Sequence, residues 1–75
     1  MNPDYKVQFE DIEGNTYNVP AISFLYGRKT EDGNYRCRFE GDHSQAEHGF
    51  VNYELVVTPQ NYKILTDGMH AALRS

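Results

Sequence analysis

Cysteine and tryptophan are nearly absent from this chain of 75 residues, which has Cys37 as its single cysteine and no tryptophan. One cysteine cannot form an intramolecular disulfide, and such scarcity is typical of a reducing compartment, most simply the cytoplasm. The chain also lacks the apolar run of a signal peptide and any stretch long enough to span a bilayer. We therefore expect a cytoplasmic protein that does not bind a membrane. Because Met1 opens the chain, we also expect a complete small gene product.

Strong charge of either sign is missing as well. Seven basic residues oppose eleven acidic ones, so the net charge is −4 at pH 7. This mild acidity disfavours a general nucleic-acid binder and is far too weak for a mimic of DNA. Repeats, low-complexity tracts and linkers are absent too, so we expect residues 1–75 to form one small globular domain. A domain of this size buries only about 60–65% of its unfolded surface, and its core is marginal.

Aromatic residues, in contrast, make up 13% of the chain, which predicts a folded protein. Four segments have the alternation or the β-branched and aromatic content of strands, namely 5–11, 16–29, 35–40 and 50–58. Thr58 suits a helix N-cap and Pro59 a first helical position, and an apolar stripe at helical spacing follows, over about 59–73. We predict an α+β fold, in which a four-stranded antiparallel sheet (two hairpins plus a fourth strand) has one C-terminal helix packed on one face.

Two glycine-containing turns predict how the strands pair, if residues 14–15 and 32–33 are both two-residue loops. The resulting opposed pairs are Phe9–Pro20, Val7–Ile22, Tyr26–Phe39 and Arg28–Cys37. Both registers direct the apolar residues of the two hairpins to one face, which the helix covers. Pro20 cannot donate a ladder hydrogen bond, so it predicts a sheet edge or a bulge. A bulge there would turn Tyr17 and Val19 inward.

The histidine-rich segment 41–50 contains the residue types of a metal site, in Asp42, His43, Glu47 and His48. The two histidines are five residues apart, whereas a helical zinc pair needs a spacing of four. A closed zinc site also needs four ligands, most often several cysteines. We predict a polar loop that binds no metal.

Catalytic chemistry is not indicated either. Cys37 lies between two arginines, which would activate a thiol, but strand alternation directs its side chain into the core. No glycine-rich phosphate loop or nucleophile motif is present. We predict a non-enzyme without a cofactor.

Basic residues are concentrated in the central hairpin, which holds four of the seven, at positions 28, 29, 36 and 38. On the predicted registers, Lys29 lies opposite Arg36 and faces away from the helix, as Arg38 does. Apolar residues share this outward phase, and the candidates for partner binding are Val19, Leu25, Lys29, Arg36 and Arg38. The plainer interpretation is a solvated face of ion pairs.

Two classes of function are consistent with these features. The first is a protein-interaction module, such as a small regulatory or inhibitory protein of the kind that phages and mobile elements encode. It would bind a larger protein, or a second copy of itself as a homodimer, through the sheet face that the helix leaves uncovered. The second is a nucleic-acid-binding protein that uses the basic hairpin, with Tyr17 or Tyr26 to stack on bases. We favour the first because the chain is acidic.

Overall fold

The computed structural model describes residues 2–41 and 52–75. Its elements are β1 (Lys6–Glu10), β2 (Thr16–Pro20), a 3-10 turn (Ala21–Ser23), β3 (Phe24–Lys29), β4 (Tyr35–Glu40), β5 (Asn52–Val57) and α1 (Pro59–Arg74). The predicted α+β class, the antiparallel pairing and the C-terminal helix packed on a sheet are confirmed. The single four-stranded sheet is wrong, because in the described residues β1 and β2 form one sheet, and β3, β4 and β5 form a second.

The division into two sheets begins at Pro20, inside the segment that was expected to be one long strand. Proline has no N–H for a ladder, and Pro20 ends β2. The Ser23 hydroxyl donates to the Pro20 carbonyl oxygen at 2.6 Å, across the 3-10 turn. Ala21, in that turn, is fully buried. The predicted edge position of Pro20 is confirmed, since both strands of a two-stranded sheet are edges.

The two hairpin turns, residues 11–15 and 30–34, have the same backbone geometry. In each, the N–H of the first residue donates to the carbonyl oxygen of the last, at 3.0 and 2.8 Å respectively. Gly14 and Gly33 both have a φ of +88°, which favours glycine. This is the three-residue loop that ends with a residue in the left-handed region. The predicted two-residue loops are therefore wrong, and both registers differ from the predicted ones.

The residues of the first hairpin consequently have different cross-strand partners from those predicted. Phe9 lies opposite Tyr17 instead of Pro20, and Val7 lies opposite Val19. Tyr17 and Val19 are half-buried and pack against the core. The outward placement of these two residues is wrong. They face inward because of the register, and not through the bulge at Pro20 that was the alternative.

The second hairpin is shifted by one residue, so that Gly27 lies opposite Cys37, where Arg28 was expected. A β-bulge between Phe24 and Tyr26 shifts the register once more, so that Phe24 lies opposite Phe39. Phe24 is therefore buried, while Tyr26, which was expected to face inward, is 49% exposed. The shift turns Tyr26 and Arg28 to the side of the sheet away from the helix.

The core is built on stacked aromatic rings around Phe39, which is fully buried. Phe9 and Tyr53 stack on either side, with ring centroids 5.4 and 5.3 Å from that of Phe39. Leu65 and Ala72 of α1 complete the core and are fully buried. Because Phe9 belongs to β1 and Tyr53 to β5, this stack joins the two sheets.

The helix begins where the sequence predicted. The Thr58 hydroxyl accepts a hydrogen bond from the Asn61 N–H at 3.3 Å, and Pro59 is the first helical residue. Within residues 2–41 and 52–75, no helix is long and apolar enough to cross a membrane.

Candidate binding surface

The side of the β3–β4–β5 sheet that faces away from α1 is the candidate site, and we call it the outer face. It includes two rows across the strands, Arg28–Arg36–Val56 and Tyr26–Arg38–Glu54. The intervening residues of β4, Cys37 and Phe39, are fully buried on the other side. Strand alternation therefore places the β4 arginines outward, as predicted.

The charges of the outer face are only partly paired. Arg38 Nη1 lies 3.4 Å from Glu54 Oε2, in an ion pair whose side chains remain more than one third exposed. Arg28 and Arg36 lie directly opposite each other, with Val56 completing their row. Like charges in this position are mildly destabilising. Within the described ranges, neither Arg28 nor Arg36 forms an ion pair.

An open cleft of about 390 Å³ lies over this part of the outer face. Its lining includes the three cations Arg28, Lys29 and Arg36, together with Tyr26, Thr30, Glu31 and Glu54. Glu54 is the acid that pairs with Arg38. The cleft thus combines an accessible aromatic ring with more positive than negative charge, in a chain whose net charge is −4.

The structure separates the five residues selected from the sequence. Arg36 and Arg38 face outward, and Leu25 is 42% exposed at the bulge. Lys29 is exposed at the end of β3, but it lies opposite Tyr35 and not opposite Arg36. Val19 packs against the core on the other hairpin, so it does not belong to this face.

Two further residues of the outer face, Tyr26 and Arg28, were not among the five selected from the sequence. Both were expected to face inward, because a two-residue loop was assigned at Asp32-Gly33. The signal that would have found them is the pair of similar turns, each ending in Gly-Asn, at 11–15 and 30–34. A three-residue loop at both turns predicts the observed registers.

The single thiol lies below the outer face. Cys37 is fully buried, as predicted, and burial raises the pKa of its thiol to about 11. It is therefore protonated at neutral pH and unsuited to nucleophilic attack. Among residues 2–41 and 52–75, no three potential metal-binding side chains lie together. Asp42, His43, Glu47 and His48 lie outside the described residues, so the metal-free polar loop stays a prediction.

A second polar cluster surrounds Asp11 in the first turn. Its carboxylate accepts hydrogen bonds from the Glu13 and Asn15 N–H groups, at 2.9 and 3.0 Å, and from the Tyr17 hydroxyl at 2.9 Å. Burial works to raise the pKa of Asp11, but the hydrogen bonds from Asn15, Tyr17 and Glu13 outweigh it and hold the pKa below its ordinary value. The carboxylate is used within the turn, so we assign this cluster to the fold.

Comparisons with protein-family models, with curated proteins and with solved structures found no match to this chain. The candidate function therefore rests on the geometry of the outer face.

Proposed function

We propose that the protein is a non-enzymatic interaction module whose outer face binds an acidic segment of a larger protein. The observation that carries this proposal is the opposed Arg28–Arg36 pair, which lies with Lys29 in one cleft. Arginine binds carboxylates through two parallel hydrogen bonds, and two adjacent guanidinium groups can hold one or two carboxylates. Binding an acidic side chain would also relieve the repulsion within the pair.

Besides charge, a protein interface needs apolar contact, and accessible apolar groups lie beside the cations. Tyr26 and Leu25 are 49% and 42% exposed, and Tyr26 lines the cleft. Tyrosine and arginine are enriched among the residues that carry most of the binding energy at interfaces. A partner segment with acidic and apolar residues would therefore match this surface.

Nucleic acid is the second candidate, because Tyr26 could stack on a base while the arginines contact phosphates. A nucleic acid presents a continuous row of phosphates, and the net charge of −4 opposes such a polyanion more than it opposes the one or two carboxylates of a protein segment. A homodimer through this face is disfavoured by another argument. A two-fold axis would bring two copies of the Arg28–Arg36 pair to one interface, where their positive charges would repel each other.

The experiment is affinity capture from nuclease-treated lysate of the source cells, followed by binding measurements with the captured protein. We compare the unmodified protein, the Arg28→Glu/Arg36→Glu double variant, and Arg74→Glu as a matched control on the exposed last turn of α1. The double variant should weaken binding at least tenfold, about 1.4 kcal/mol, while the control binds normally. All the substitutions are at exposed positions and should change stability by about 0.5 kcal/mol or less.

Two results would contradict the proposal. One is a captured protein that binds the double variant as tightly as the unmodified chain. The other is tight binding of single-stranded nucleic acid at physiological salt, lost in the double variant, with an affinity that falls steeply as salt is added.

A further inference from the structure

The hydrogen-bonding groups of β1 alternate between two sides, and one side faces away from β2. Ala21 N–H donates to the Tyr5 carbonyl at 2.8 Å, and Asp11 N–H donates to the Asn15 carbonyl at 3.0 Å. These bonds direct the main-chain groups of the odd-numbered residues toward β2. In a strand the direction alternates from residue to residue, so the groups of Lys6 and Gln8 point to the opposite edge.

Two bonds at the far end of the strand confirm this assignment. Glu10 N–H donates to Asn61 Oδ1 of α1 at 3.0 Å, and Ile12 N–H donates to the Val56 carbonyl at 2.9 Å. The N–H groups of the even-numbered edge therefore have partners at positions 10 and 12. Within residues 2–41 and 52–75, no strand pairs with this edge at Lys6 and Gln8.

A groove of about 510 Å³ lies along this open part of the edge. β1 and the preceding Tyr5 form one wall, and the other wall is a stripe of α1 that includes Ile64, Asp67 and Ala71. Tyr5 and Ile64 are 39% and 40% exposed, so the groove has accessible apolar surface. Asp67 forms an exposed ion pair with Lys63, whose Nζ lies 2.6 Å from the carboxylate. Lys6 is the cation that lines the groove, and within the described ranges it forms no ion pair.

We infer that this groove is a second binding site, which takes an extended segment of a protein as an added strand along β1. The exposed N–H and C=O groups of Lys6 and Gln8 would form the ladder, and alternate side chains of the segment would rest on Tyr5 and Ile64. The uncompensated charge of Lys6 selects a segment with a carboxylate at the matching position. A lysine on an open edge also disfavours aggregation through that edge. Lys6 would therefore both select an acidic segment and limit non-specific strand pairing. This site uses no residue of the outer face.

The test starts with twelve-residue random peptides displayed on phage and selected on the full chain, and the selected peptides are then synthesised. Amide hydrogen exchange, followed by NMR, reports on Lys6 and Gln8. We expect a selected acidic, strand-forming peptide to slow exchange at both amides at least tenfold. Gln8→Pro removes the amide that points into the groove without removing a bond to β2, and it should weaken peptide binding at least tenfold. Gln8→Ala keeps that amide and is the matched control.

Charge reversal provides a second variant that does not alter the strand backbone. Lys6→Glu should weaken binding of the acidic peptide, and replacing the acidic residue of the peptide with lysine should restore binding. The inference is overturned if the selected peptides leave the exchange of both amides unchanged, or if selection yields no peptide that binds. It is also overturned if the chain is a dimer in solution that Gln8→Pro dissociates, since the occupant would then be a second copy. Arg28→Glu/Arg36→Glu should leave peptide binding unchanged, which separates this site from the outer face.

Discussion

The β1–β2 hairpin and the β3–β4 hairpin contact α1 with opposite arrangements of small and large residues. In the first contact the strand presents Val7 and the helix supplies Gly68, where a Cβ would overlap the valine side chain. In the second the strand supplies Gly27 and the helix presents Tyr62, whose ring a Cβ on Gly27 would overlap. Each contact has one glycine, but the glycines belong to opposite partners.

This arrangement positions the helix against both sheets at once. A glycine inside a helix costs about 1 kcal/mol relative to alanine, so from the sequence Gly68 indicates either a break in the helix or a place where the helix lies close on the sheet. In the structure Gly68 is buried and lets α1 approach β1 closely. The two glycines are therefore packing residues, and substitutions at each should distinguish the two contacts.

The largest effect is expected for Gly27→Ala. The new methyl group would overlap Tyr62 and lie 3.2 Å from Cys37 Sγ. The Tyr62 ring cannot move aside easily, because it stacks on Tyr35 with ring centroids 3.9 Å apart. We expect the free energy of unfolding to fall by about 2–3 kcal/mol, measured by chemical denaturation.

The Tyr62 ring provides the control for this change. In a Tyr62→Ala background, Gly27→Ala should cost much less, because the overlapping ring is gone. Equal costs in both backgrounds would show that the ring does not limit the space at Gly27.

A smaller net effect is expected for Gly68→Ala. Alanine favours the helix by about 1 kcal/mol, but the overlap with Val7 should outweigh this gain. We expect a net loss of about 1–2 kcal/mol, whereas at most exposed helical positions the same change would stabilise. In a Val7→Ala background the substitution should become neutral or stabilising. Stabilisation in the unmodified background would mean that α1 can move away from β1 without loss.

Much of the fold could be predicted from the sequence because local signals agree with one another. The alternation in β4, the Thr58 cap and Pro59 depend on neighbouring residues only, and all three are confirmed. The 3-10 turn after Pro20 was not predicted, because the residues on both sides have strand-like composition. A break of only three residues leaves little trace in such a pattern.

The candidate site was predicted less well than the fold, for one physical reason. A loop one residue longer than assumed exchanges the faces of a strand, and this error assigned Tyr26 and Arg28 to the core. Arg36 and Arg38 were placed correctly because their phase follows from the buried Cys37 and Phe39 on the same strand. The predicted face of a residue was thus more reliable when it followed from the same strand than when it depended on the register across a turn.

The two turns share a backbone but differ in their side chains, and pH should reveal the difference. In the first turn, the Asp11 carboxylate accepts hydrogen bonds that hold its pKa below the ordinary value of 3.8. A group with a lowered folded pKa stabilises the protein above its unfolded pKa, and this contribution is lost as the pH falls through the folded pKa. Asp11→Asn should therefore lower the melting temperature at pH 7, by less than Gly68→Ala does.

The gap in melting temperature between the unmodified protein and Asp11→Asn should close in acid, as the pH falls below 3.8 and through the lowered pKa. Asp32→Asn in the second turn is the comparison. Hydrogen bonds from Thr30 and Asn34 also lower the pKa of Asp32, but its carboxylate is exposed. Its effect should be smaller at pH 7, where both carboxylates are ionised. A gap that persists unchanged in acid would contradict the role assigned to the Asp11 carboxylate.

The smallest effects are expected at the two turn glycines, and they should be equal. Gly14 and Gly33 both have a φ of +88°, and among the described residues, the adjacent ones in the chain aside, neither has an atom within 4 Å of the position that a Cβ would occupy. Alanine at either site should therefore cost only the backbone strain of the left-handed region, about 1 kcal/mol. Asparagine tolerates this region better and should recover part of the loss in both turns. Urea denaturation of the four single variants measures this, and costs that differ by more than about 0.5 kcal/mol would show that the surrounding side chains, and above all the Asp11 cluster, constrain one turn more than the other.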